Sequence, residues 1–120
     1  MLGFGGFFFR SRDPVALARW YQEHLGIDPV PTDYETMPWV QQEGPTAFAP
    51  FRADSDYFPA DHAFMLNFRV ADLDAIVVQL RAAGIEVAVH DEVYPNGRFA
   101  RTHDPEGTPI ELWEPATPKR

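Results

Sequence analysis

Phe68-Arg69-Val70-Ala71-Asp72 repeats the pattern of Phe9-Arg10-Ser11-Arg12-Asp13, and this pair decides the fold. Each pentapeptide opens a stretch of helical periodicity that closes on Gly-Ile: Leu25-Gly26-Ile27 in the first copy, Ala83-Gly84-Ile85 in the second. The copies lie about half a chain length apart. A long pattern present only twice points to two copies of one supersecondary unit, because a solenoid needs its unit repeated more often to bury a continuous core. Two fused copies usually enclose a shared surface, and that surface is the place to look for function.

Working outward from the first copy, residues 3–10 read as a strand. Asp13 is an N-cap, and Pro14 follows at the first helical position, where its missing N–H costs nothing. Leu17, Trp20, Tyr21 and Leu25 share one helical face, and Gly26 ends the helix. Short strands are expected near 29–31, 37–41 and 46–51. In the second copy a strand spans 63–70. Asp72 caps a helix with Leu73, Ile76, Val77 and Leu80 inside, and Gly84 ends it. Strands follow near 86–90, 98–103 and 109–113, separated by the turn signals Asn96-Gly97 and Asp104-Pro105-Glu106-Gly107. Each half therefore reads β-α-β-β-β. The expectation is an α+β fold in a single domain, 1–120, with one module at about 1–57 and another at about 62–115. Residues 52–61 are the connection between them.

Strand alternation sorts the side chains. In the 63–70 strand, Phe64, Leu66, Phe68 and Val70 go under the helices, leaving Met65, Asn67 and Arg69 on the other side. Ile110 and Leu112 pair toward the helix and Glu111 and Trp113 away from it. In the first strand Phe7 and Phe9 pair off, and Gly6, Phe8 and Arg10 point away. The outward faces mix charge, amide and aromatic groups, as a binding cleft does.

Composition narrows the partners. A net charge of −8 disfavours nucleic acid and anionic membranes, which call for a basic surface. The absence of cysteine removes disulfides, thiolate metal sites and thiol nucleophiles, and fits a reducing cytoplasm. The apolar run 4–9 is too short to span a bilayer, so a cytoplasmic protein is expected. Ten phenylalanines, three tryptophans and four tyrosines exceed what so small a core needs, and some are expected to line a pocket for an organic ligand. The histidines show no H-x-H or H-E-x-x-H spacing, Ser11 and Ser55 sit in no nucleophile elbow, and Gly3-Phe4-Gly5-Gly6 lacks the Gly-Lys-Ser/Thr of a phosphate loop.

The duplicated βαβββ unit, the Asp13-Pro14…Trp20-Tyr21…Leu25-Gly26 helix and the ending Asp104-Pro105-Glu106-Gly107-Thr108-Pro109-Ile110-Glu111-Leu112-Trp113 together resemble the vicinal oxygen chelate superfamily. That is the glyoxalase, bleomycin-resistance and extradiol dioxygenase group. The resemblance implies two tandem modules curved into an open, cup-shaped mixed sheet, commonly completed across a homodimer. It also implies a divalent metal on His and Glu ligands, which chelates vicinal oxygens of the substrate. Here the implied ligand positions hold Gly6, Ala49 and Met65, and only Glu111 matches. The expectation is therefore no metal and no cofactor. Trp39, Phe51, Tyr57-Phe58, Asn67 and Arg98-Phe99 look like an uncharacterised glyoxalase-like subgroup.

The leading reading is a metal-independent homodimer that binds a small, aromatic or amphipathic organic molecule in the cup. Phe8, Trp39, Met65, Asn67, Glu111 and Trp113 would line that cup. One alternative is a metal-dependent lyase, isomerase or dioxygenase with Glu111 as a ligand, and Glu111 is the best catalytic candidate. Another is a protein-interaction module. Residue by residue, plainer readings stand beside these. Glu111 reads equally as an ion-pair partner of Arg10, Arg69 or Arg101, Asn67 as a group satisfying local backbone, and Trp39 and Trp113 as core packing. Arg98 and Arg101 read either as an anion clamp or as solvated strand residues.

Overall fold

The second half of the sequence builds the sheet. In the computed structural model, which describes residues 1–117, strand β1 (Leu66–Arg69) leads into helix α2 (Leu73–Ala82). Strands β2 (Ala88–Val89), β3 (Gly97–His103) and β4 (Pro109–Pro115) follow, and helix α1 (Pro14–Leu25) precedes them all. The strands lie in the order β1-β4-β3-β2. β1 runs parallel to β4, while β4–β3 and β3–β2 are antiparallel. This is the expected β-α-β-β-β unit. Residues 118–120, the last three of the expected domain, lie outside the described residues.

Register sets the two faces. Leu66 pairs with Ile110 and Ile110 with Thr102; Phe68 pairs with Leu112 and Leu112 with Ala100. Because side chains alternate along a strand, these residues share the face against which α2 packs, and α2 contacts β3 and β4. Leu73, Val77 and Leu80 recur at helical spacing and are buried, as are Ile110, Leu112 and Ala100. Each of the leucine, valine and isoleucine side chains contributes about 1.5–3 kcal/mol by leaving water.

The ends of α2 are fixed by side chains on both sides. Asp72 accepts a hydrogen bond from the Ala75 N–H at 3.0 Å. Glu114 on β4 accepts one from Leu73 N–H at 2.9 Å, which places a negative charge at the positive end of the helix. Arg98 on β3 reaches Asp74 in the first turn with paired bonds of 3.1 and 2.9 Å. At the other end the Gly84 N–H donates to Arg81 O and the Ile85 N–H to Leu80 O, a Schellman closure that needs Gly84 at φ +81°. The β3–β4 turn is held by Asp104, buried, whose Oδ1 accepts from the Glu106 and Thr108 N–H groups.

The chain divides into two compact units, Met1–Gln42 and a second beginning at Glu43. In the first, α1 forms as its caps predict. Asp13 accepts from Ala16 N–H at 3.1 Å, and Gly26 takes the left-handed conformation at φ +71°. Leu17 and Tyr21 are its buried positions, and Trp20 meets Tyr21 edge-on. Among the described residues no strand precedes Leu66, so the ladders expected at 3–10, 29–31, 37–41 and 46–51 are not formed. The physical reason is that a helix closes its own hydrogen bonds, whereas a strand needs a neighbour. Pro29, Pro31, Pro38 and Pro50 each also remove a donor from the last three of these stretches.

Candidate functional site

The candidate site lies on the sheet face opposite α2. Asn67 on β1, Glu111 on β4 and Arg101 on β3 are direct register partners, so they form one row across three strands. Glu111 is only 4% exposed. A carboxylate so placed must be hydrogen-bonded to be tolerated, and both its oxygens are. Asn67 Nδ2 donates to Oε1 at 2.8 Å, and Arg101 Nε donates to Oε2 at 3.2 Å.

The fourth member comes from the connection before β1. The Tyr57 hydroxyl donates to Glu111 Oε2 at 2.6 Å. Its ring lies under the Arg101 guanidinium, whose central carbon is 4.3 Å from the ring centroid, and Arg101 Nη2 donates to the Tyr57 carbonyl at 2.7 Å. Arg101 thus holds the carboxylate, the ring and the backbone of Tyr57 at once. Burial, then the hydrogen bond to Glu111, raises the Tyr57 phenol above its ordinary value, while Arg101 pulls the other way. The phenol therefore stays protonated and acts as donor.

The connection is shaped to deliver that ring. Ser55 N–H donates to Arg52 O, Tyr57 N–H donates to Ser55 Oγ, and Phe51 packs against both Tyr57 and Phe58, with centroids 5.3 and 5.6 Å away. Beside this strap is an open depression of about 520 Å³. Asp54, Asp56, Tyr57, Phe58 and Arg101 are among its walls. Tyr57 and Arg101 both line it and both bind Glu111, which does not. Further along the same face, Gly44 lies so close to the Arg69 guanidinium that a β-carbon there would collide with it.

The donor set around Glu111 does not suit a divalent cation. It offers one carboxylate, both oxygens hydrogen-bonded, beside a guanidinium that would repel the ion. Among the described residues no three His, Cys, Asp or Glu side chains converge as metal ligands.

Of the residues expected to line a cup, Asn67 and Glu111 are brought into direct contact. Trp113 lies two residues along on the same face, opposite Phe99 in register. It stacks on that ring at 6.2 Å with a 2° tilt, and its Nε1 donates to Asn96 O at 2.8 Å. Met65 is half-buried just before β1. Phe8 and Trp39 belong to the Met1–Gln42 unit, where Phe8 is 93% exposed and Trp39 also exposed. Of the arginines offered for the Glu111 ion pair, Arg101 makes it. Arg98, offered with Arg101 as an anion clamp, pairs with Asp74. Tyr57 was not foreseen as a partner of Glu111, because nothing periodic marks it; the aromatic pair Tyr57-Phe58 inside an otherwise acidic connection was its one signal.

A family model described as a glyoxalase-like domain matches residues 6–113. Among solved structures, that of TnmS3, an antibiotic binding protein from Streptomyces sp. CB03234, resembles this chain with a TM-score of 0.54. The two are 25% identical, over 87% of this chain and 88% of that one. No curated protein sequence matches.

Proposed function

Because the chain belongs to the glyoxalase-like domain family, within the vicinal oxygen chelate superfamily, we propose that it binds a small organic molecule without a metal ion. The ligand is aromatic or amphipathic and rests on the outward face of the sheet. The observation that carries this reading is the Asn67–Glu111–Arg101 row. It supplies an amide, a carboxylate and a guanidinium in line, flanked by the ring of Trp113. Such a surface orients a flat ligand by hydrogen bonds and holds it by stacking. The likeness to an antibiotic binding protein supports a natural product of that kind.

On this reading Asn67, Glu111, Met65 and Trp113 line the ligand site on the sheet. The protein works as a cytoplasmic homodimer. Residues 1–57 then form the first βαβββ module when their extended stretches find strand partners. The shared Phe-Arg-x-x-Asp helix openings and the exposed phenylalanines of the first unit support that arrangement. Among the described residues no helix is long and apolar enough to cross a membrane.

The test is calorimetric titration of the full chain with bleomycin and with an anthracycline, alongside thermal melting. Saturable binding with a raised melting temperature is expected, since a ligand at about a hundred times its dissociation constant adds about 2.7 kcal/mol. Failure of both compounds and of other aromatic antibiotics would remove the reading. Stoichiometric metal retained after dialysis against mixed divalent ions would favour the chelating enzyme instead.

A further inference from the structure

We propose, resting on the small-molecule reading above, that Tyr57 is a built-in occupant of the ligand site and that the true ligand is a planar aromatic bearing a hydroxyl. Three contacts define what Tyr57 does there. Its hydroxyl donates to a buried carboxylate, its ring lies beneath a guanidinium, and its backbone is tethered by the same arginine. The first two are the interactions by which a phenolic ligand would bind, and neither uses anything peculiar to a polypeptide. The third is the tether of an intramolecular stand-in.

The surroundings agree. Glu111 comes from the sheet and would keep Asn67 and Arg101 as donors if Tyr57 left, so its charge would remain compensated. The strap is short, held by Phe51 and by turn hydrogen bonds, and its walls open on solvent. Tyr57 is itself partly exposed, so its departure uncovers no core. Removing the phenol therefore frees one acceptor position on Glu111 and one face of Arg101. Binding then no longer has to displace a competitor, whose presence lowers apparent affinity by the fraction of time it occupies the site.

The experiment is fluorescence titration of the full chain with 2-naphthol and with its methyl ether, 2-methoxynaphthalene. Wild type, Tyr57→Phe and Tyr57→Ala are compared, each checked for native melting. Tyr57→Phe keeps the ring on Arg101 and removes only the competing hydroxyl, so it tests the idea even if Tyr57→Ala is poorly folded. The expected order of affinity for 2-naphthol is Ala above Phe above wild type. The full gain should be about tenfold, as when one charge-assisted hydrogen bond ceases to compete. The methyl ether, which has no donor, should gain far less, and Glu111→Gln in the Tyr57→Ala background should cancel most of the naphthol gain. Unchanged or weaker naphthol binding in both Tyr57 variants overturns the proposal, as does an equal gain by the ether. If no naphthalene binds any variant, the proposal also falls, and bleomycin or anthracycline binding then shows whether the broader function survives it.

Discussion

The two halves of this chain open with the same Phe-Arg-x-x-Asp pattern, yet one makes a helix and a sheet and the other a helix alone. What they share is what a segment can do for itself. Asp13 and Asp72 each cap the third residue onward, and Gly26 and Gly84 each take a left-handed conformation. What they do not share is the ladder. From β1 to β4 the second half carries prolines only at Pro95 and Pro105 in connections and at Pro109 and Pro115 at the strand ends, so the strand interiors keep every donor. Between residues 29 and 50 the first half carries proline every few residues. Local signals specify a helix, whereas a strand also needs a partner with donors to spare.

The comparison breaks most visibly in the core. Leu112→Ala, at a fully buried strand position beneath α2, should cost about 2–5 kcal/mol and lower the urea midpoint strongly. Leu17→Ala on α1 should cost clearly less. Equal losses would mean that the first half is as tightly built as the second. The shared element gives a smaller effect of equal size. Gly26→Ala and Gly84→Ala should each cost about 1–2 kcal/mol, because both force a β-carbon into the left-handed region. A large inequality would show that one closure is looser than its dihedral angle implies.

The smallest effect is electrostatic. Hydrogen bonds from Thr36 hold the Asp33 carboxyl below its ordinary value in the first half, and Arg98 does the same to Asp74 in the second. A depressed carboxylate stabilises the fold above the unfolded-state value, about pH 4. That contribution fades as pH falls through the lowered value. Carboxyl titration by NMR should find both midpoints low, and Arg98→Leu should return Asp74 upward while leaving Asp33 in place. Both side chains are exposed, so stability should change little.

Much of the second half was legible because its signals are periodic. Apolar residues at i, i+3, i+4 and i+7 fix the face of α2, and alternation around Asn67 and Glu111 placed both on the outward face, where they meet. Trp113 was placed on the right face, but its stacking on Phe99 and its bond to Asn96 depend on register, which alternation alone does not reveal. Tyr57 was illegible because it reaches Glu111 from a connection with no repeat, across 54 residues of sequence. The strands expected in residues 3–51 failed because alternation describes which side a residue would face, not whether a neighbour is there to bond.

The strand order has a consequence for how the molecule is made. β4, the last of the described strands in sequence, lies inside the sheet between β1 and β3. On a ribosome adding roughly 5–20 residues per second, β1 waits several seconds before Ile110 and Leu112 exist to cover Leu66 and Phe68. Until then only the β2–β3 hairpin and α2 have partners nearby in sequence. The sheet therefore closes late, and translation across residues 70–109 sets how long β1 stays without its strand partner.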